Sequence, residues 1–201
     1  MAEEEVPPEI EGKYLQFLRV LMSYVDFQQA SGIATCILES DLLERYPEDR
    51  FHLQGLNSGL IVAYWRPFTT ERAREGGQRV PPLSGSILSA LDTEERELHE
   101  IVRKDRNQVV AHSDSDAWNP RPYYLRLNGR KILYPQFSSA HAHLLRPAVG
   151  RLAEMCTKLR EACFAERERL EPELEPYLSV LEPDPEELRS AADELGVELP
   201  E

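Results

Sequence analysis

Apolar residues recur at helical spacing from Lys13 to about Tyr46, where Tyr14, Leu15, Leu18, Leu21, Met22 and Val25 are followed by Ile33, Cys36, Ile37, Leu42 and Leu43. Steps of three and four hold such residues on one side of a 3.6-residue helix, so the pattern predicts one long helix or two. A break is expected at Ser31-Gly32, because glycine in a helix interior costs about 1 kcal/mol relative to alanine. A second helix is predicted from about Phe51 to Tyr64, ending before Pro67 because a residue that precedes proline is pushed out of the α region. Between Phe68 and Leu91, Gly76, Gly77, Pro81, Pro82 and Gly85 interrupt the periodicity and predict a loop with room for a short helix.

A sharp helix start follows. Asp92 or Thr93 can cap a helix whose first turn holds Glu94, Glu95 and Glu97, where carboxylates complement the positive end of the helix dipole. Leu98, Val102, Asp105, Val109 and His112 then lie on one stripe, and the helix is expected to run to about His112. Asn119-Pro120-Arg121-Pro122 ends that pattern. The run YYLRLNGRKILY, residues 123–134, alternates around Asn128-Gly129, the turn dipeptide that most favours a β-hairpin. Ser138 or Ser139 can cap a last long helix reaching about Leu170, with Leu144, Leu145, Val149, Leu152, Met155, Cys156 and Leu159 on its inner face. The expected fold is all-α, an up-and-down helical bundle of four or more helices with a small β-hairpin insertion. Residues 1–12 read as an acidic N-terminal extension, 13–170 as the helical domain, and 171–201 as an acidic tail with one short helix at about 185–195.

The composition, 201 residues with 41% hydrophobic and 29% charged, fits one ordinary globular domain. No run of eighteen apolar residues occurs and the first residues are acidic, which disfavours a membrane span and a signal peptide. Three cysteines without a CxxC pair point to a reducing, cytoplasmic setting and away from a disulfide framework or a structural zinc site. The net charge of −13 is unevenly spread. Residues 1–11 carry five acids and no base, and 166–201 carry thirteen acids and three bases. Residues 103–160 hold eleven bases against four acids, so a phosphate ligand remains open to the middle of the chain.

The stretch that carries chemistry is LHEIVRKDRNQVVAHSDSD, residues 98–116. Arg106 is followed by the polar Asn107, and His112 comes six positions after the arginine. This arrangement resembles the signature of the HEPN superfamily, all-α proteins whose motif is Arg, a polar residue, then His after four to six intervening residues. The run RNQVVAHSD is similar to the abortive-infection branch, and the likeness extends weakly to YWRPF at 64–68 and covers roughly residues 13–165. The resemblance implies metal-independent RNA cleavage by a symmetric homodimer whose two motifs meet across the interface, in a toxin or phage-defence effector that a partner protein can neutralise. No cofactor is implied.

In that reading Arg106, Asn107 and His112 are the catalytic residues. Imidazole can take or give a proton near neutrality. A guanidinium can grip a phosphate bidentately and stabilise a pentacoordinate transition state. On a regular helix Arg106 and His112 lie roughly 120° apart in projection, so a second subunit or a bent helix end is needed to close the site. Arg103, Lys104, Arg66 and Asp114 are candidates for substrate binding. Arg66 also reads as a helix-terminal cation facing the C-terminal dipole, and Asp114 with Asp116 as a solvated turn. A non-catalytic HEPN-like dimeric module that binds a protein or RNA partner is the alternative, favoured by the acidic ends. His141 and His143, two apart on a helix, point in nearly opposite directions and are not metal ligands in this reading. Cys156 and Cys163 read as buried hydrophobes, and Ser84-Gly85-Ser86 as loop.

Overall fold

The computed structural model describes residues 6–70, 79–107, 121–136 and 144–178. Helix α1 spans Pro8–Glu39, α2 Arg50–Trp65, α3 Thr93–Asp105 and α4 Arg146–Leu174. Short 3-10 turns follow at Arg66–Phe68, Gly85–Ala90 and Glu175–Tyr177, and strands β1, Arg121–Leu127, and β2, Arg130–Gln136, form an antiparallel pair. The architecture is therefore a helical bundle with a β-hairpin, as the periodicity predicts.

Helix α1 begins at Pro8, where a missing N–H costs nothing in the first turn, with Glu9 and Glu11 at the positive end of the dipole. It runs unbroken through Ser31-Gly32. Gly32 faces open space, while Ala30, Ala34 and Ile37 on either side are fully buried, and that burial outweighs the propensity penalty of one glycine. The helix stops at Ser40, which turns extended while its N–H still donates to the Cys36 carbonyl. Leu42 and Leu43 pack on the core from a run of turns, not from a continuation to Tyr46.

Helix α4 lies antiparallel to α1 along its whole length. Lys13 pairs with Glu173, Gln16 donates to Glu166 at 2.6 Å, Arg160 donates to the Tyr24 hydroxyl at 3.1 Å, and Arg146 donates to the Leu38 carbonyl at 2.7 Å. It starts at Arg146-Pro147 after an extended Leu145, later than a cap at Ser138 or Ser139 would place it, because proline presets the first-turn geometry. Ser138 and Ser139 themselves lie outside the described residues. The helix also passes through Pro172 to Leu174. Leu170 and Leu174 are buried against Phe17, with Ile10, Tyr14 and Leu178 around them, and this small second core sustains the helix past a residue that cannot donate. The short helix expected at 185–195 lies outside the described residues.

Helix α2 packs antiparallel on α1, with Gly59 beside the Ile33 side chain and Arg66 paired to Asp26 at 2.9 Å. Between α2 and α3 the chain is held by Arg19, buried within α1. Its guanidinium donates to the carbonyls of Pro81 at 2.6 Å and Thr69 at 3.2 Å, so one cation ties both stems of the 69–81 segment to the bundle. Cys156 and Cys163 are core residues whose thiols burial pushes up to about 12, which leaves them unreactive, whereas Cys36 is exposed.

Candidate nucleic-acid site at the end of helix α3

The start of α3 is fixed by a reciprocal cap. Asp92 accepts the Glu95 N–H and Glu95 accepts the Asp92 N–H, both at 2.9 Å. The Glu95 side chain is buried and its second oxygen meets Lys158 at 2.7 Å, while Arg151 bonds Asp92 at 3.0 Å. Four charged groups thus pin the N-terminus of α3 to α4, and the direction of α3 follows from that anchor.

One turn on, His99 is buried among aromatic rings. Its Nδ1 lies 3.0 Å from the Tyr64 hydroxyl, and its ring centroid is 4.9 Å from that of Trp65 and 4.8 Å from that of Phe68. Burial holds the imidazole below its ordinary range, so it is neutral at pH 7, and burial pushes the Tyr64 phenol far up. The YWRPF run and the α3 stretch, separate in sequence, therefore meet through His99. Sequence reasoning passed over this histidine. The available signal was spacing: His99 follows Glu95 by four and precedes Val102 by three, which sets it on the buried face of α3.

Arg106 terminates the regular helix. Its backbone N–H is shared between the Val102 and Arg103 carbonyls, and a wider helical turn runs through Arg106 and Asn107, so the 100° step behind the 120° projection applies only as far as Asp105. The Arg106 guanidinium donates to Asn107 Oδ1 at 3.0 Å, and among the described residues no carboxylate pairs with it. Arg106 is half-buried and Asn107 exposed. Asp105, also half-buried, has its carboxyl raised by desolvation. His112 and Asp114 lie outside the described residues.

The remaining candidates divide. Arg103 is spent on Glu100, one turn back, at 2.7 Å, and Lys104 is exposed with no ion pair among the described residues. Arg66 is turned to α1, paired with Asp26 and bonded to Gln29, which makes it a clamp between α1 and α2 that would have to leave both partners to reach a phosphate. Among the described residues no group of three His, Cys, Asp or Glu side chains could hold a metal, and His141 and His143 lie outside them. No described helix is long and apolar enough to cross a membrane. Comparison with known proteins finds no matching family model, no matching curated protein and no matching solved structure.

Proposed function

We propose that this chain is a metal-independent endoribonuclease of HEPN type, a toxin or phage-defence effector that cuts RNA at a site built from two copies of the α3 end. The observation that carries the reading is the Arg106-Asn107 pair at the close of α3, a half-buried guanidinium bonded to a neutral amide and left without a carboxylate among the described residues. In this reading its positive charge serves a phosphate, whereas Arg66, Arg103 and Arg151 are each paired with carboxylates.

In this mechanism one His112 takes the proton of an RNA 2′-hydroxyl as that oxygen attacks the adjacent phosphorus. Arg106 neutralises the extra negative charge of the pentacoordinate phosphorus. The bond to the 5′-oxygen breaks, and the second His112 of the dimer supplies the proton that the leaving oxygen needs. The products are a 2′,3′-cyclic phosphate and a 5′-hydroxyl. Asn107 holds Arg106 in place before substrate arrives.

The test is cleavage of a labelled single-stranded RNA in the presence of a chelator, with the new end identified chemically. Wild-type protein should give a 2′,3′-cyclic phosphate, and RNA with methylated 2′-oxygens should resist. His112→Ala and Arg106→Ala should each lose at least a hundredfold in rate, as expected for general acid–base and oxyanion-stabilising groups. Sedimentation should give a dimer of 23.1 kDa chains. Cleavage that survives His112→Ala, or a strictly monomeric active species, overturns the mechanism; RNA binding without any cleavage turns the assignment to the non-catalytic dimeric module.

A further inference from the structure

The β1–β2 hairpin exposes every side chain described from Arg121 to Tyr134. Tyr123, Tyr124, Leu125, Leu127, Leu133 and Tyr134 are 41–67% exposed, an unusual display of large apolar groups on a two-stranded unit that is marginal by itself. Both faces are involved. The register sets Tyr123 opposite Tyr134 and Leu125 opposite Ile132 on one face, and Tyr124 opposite Leu133 on the other. The Tyr123 and Tyr134 rings already lie with centroids 5.4 Å apart.

Charge and edge chemistry decide what such a surface takes. Residues 121–136 contain four bases, Arg121, Arg126, Arg130 and Lys131, and no acid. Arg126 and Lys131 stand opposite each other next to the turn. Two such hairpins brought together would set like charges against one another. Pairing through the edges is hindered as well. In a hairpin closed by a two-residue turn, alternate cross-strand pairs direct their N–H groups outward, and by that alternation Pro122 and its partner Pro135 occupy an outward pair where neither has a donor. The hairpin is therefore poorly suited to a second copy or an added strand, and suited to a flexible polyanion with flat apolar groups.

We propose that the β1–β2 hairpin is a binding arm for single-stranded RNA, in which unpaired bases stack on Tyr123, Tyr124 and Tyr134 while Arg121, Arg126, Arg130 and Lys131 hold phosphates. This combination of stacking platforms with cations is how proteins bind single strands without reading sequence. The inference rests on the ribonuclease reading only for the choice of RNA over DNA.

The test is fluorescence anisotropy of the full chain with a fluorescein-labelled, fully 2′-O-methylated 12-mer of uridine, a probe that binds but cannot be cut through its 2′-oxygen. Each phosphate contact contributes about 0.7 to the slope of log affinity against log salt on a single strand, so Arg126→Gln with Lys131→Gln should flatten the slope by about 1.4. Tyr123→Ala with Tyr134→Ala should weaken binding roughly tenfold or more, and the matching phenylalanine variant should restore it, because stacking needs the ring and not the hydroxyl. Thermal unfolding of the bundle should be unchanged in each variant, which separates a lost arm from a misfolded chain. Wild-type protein that binds this probe with the stated dependence but never cuts unmodified RNA discards only the catalytic mechanism. The arm is overturned if the glutamine and alanine variants keep wild-type affinity and slope, if a duplex of the same length binds as tightly with the same tyrosine dependence, or if the corresponding DNA binds more tightly than RNA.

Discussion

At the scale of the residue, His99 shows how packing assigns a role that spacing alone leaves open. Its imidazole is held below the ordinary pKa of 6.5 chiefly by burial, so the folded state prefers the neutral ring more strongly than the unfolded chain does. The stability this contributes is fully present above pH 6.5 and is lost as pH falls through that value toward the folded-state pKa. Wild-type melting temperature should therefore decline on acidification from pH 7.5 toward 5, ahead of the window in which Glu44, Asp92, Glu166 and Glu173, whose carboxyls are held low, lose their contributions near and below pH 4.5. His99→Phe keeps a ring in the aromatic cluster but strands the buried Tyr64 hydroxyl, at a cost of about 1–3 kcal/mol, and should flatten the decline between pH 7.5 and 5. Thermal melts of both proteins across that range check the prediction, and equal slopes would refute it. Arg106 and His112 stand out in the sequence because their types and spacing are unusual together, although only Arg106 falls among the described residues. Arg19 does not, since a single arginine between Leu18 and Val20 reads as a solvated helix position, and only the fold brings the Thr69 and Pro81 carbonyls to it.

At the scale of the element, local chemistry was legible where it closes on itself. Asp92 with Glu95 three residues later is a cap written in consecutive residues, and Asn128-Gly129 takes positive φ values of 51° and 78° at both turn positions, the conformation that matches the twist of a two-residue hairpin. The unbroken course of α1 through Gly32 and of α4 through Pro172 could not be read this way, because what sustains both helices is burial against residues of other helices, distant in sequence. Glu95 joins the two kinds of information: its cap is local, but its pairing with Lys158 is not. Glu95→Ala removes a buried, doubly engaged carboxylate and leaves the Asp92 N–H without its acceptor, so unfolding by urea should show a loss of about 2–3 kcal/mol. Glu95→Gln retains an oxygen for that N–H and should lose less. An alanine variant as stable as wild type would mean that α3 is held by its apolar face alone. Since Arg106 caps α3, the ribonuclease proposal expects the alanine change to lower RNA cleavage more than a remote core variant of equal stability does.

At the scale of the whole molecule, acidic and basic charge fall on different segments of the chain. Residues 179–201 carry eight acids and one base, whereas the hairpin carries four bases and α3 ends on Arg103, Lys104 and Arg106. Polyanion binding gains from the release of counterions, and a tethered run of carboxylates supplies negative charge at high local concentration, so on the ribonuclease proposal the acidic segment is expected to compete with RNA for the same cations. The boundary for testing this is set by packing: Leu174 is fully buried and Leu178 packs on the same small core, so a deletion starting at 172 would cut into α4, whereas one starting at 179 leaves that core intact. Removal of 179–201 should raise affinity for a short single-stranded RNA severalfold at 50 mM salt. Because exposed charges more than about 8–10 Å apart are largely screened at physiological ionic strength, the gain should shrink toward nothing at several hundred millimolar. A gain that persists at high salt would indicate steric obstruction instead of charge competition. Equal affinity of the two proteins at low salt would leave the acidic segment with solubility as its physical role, since a net charge of −13 by itself opposes aggregation.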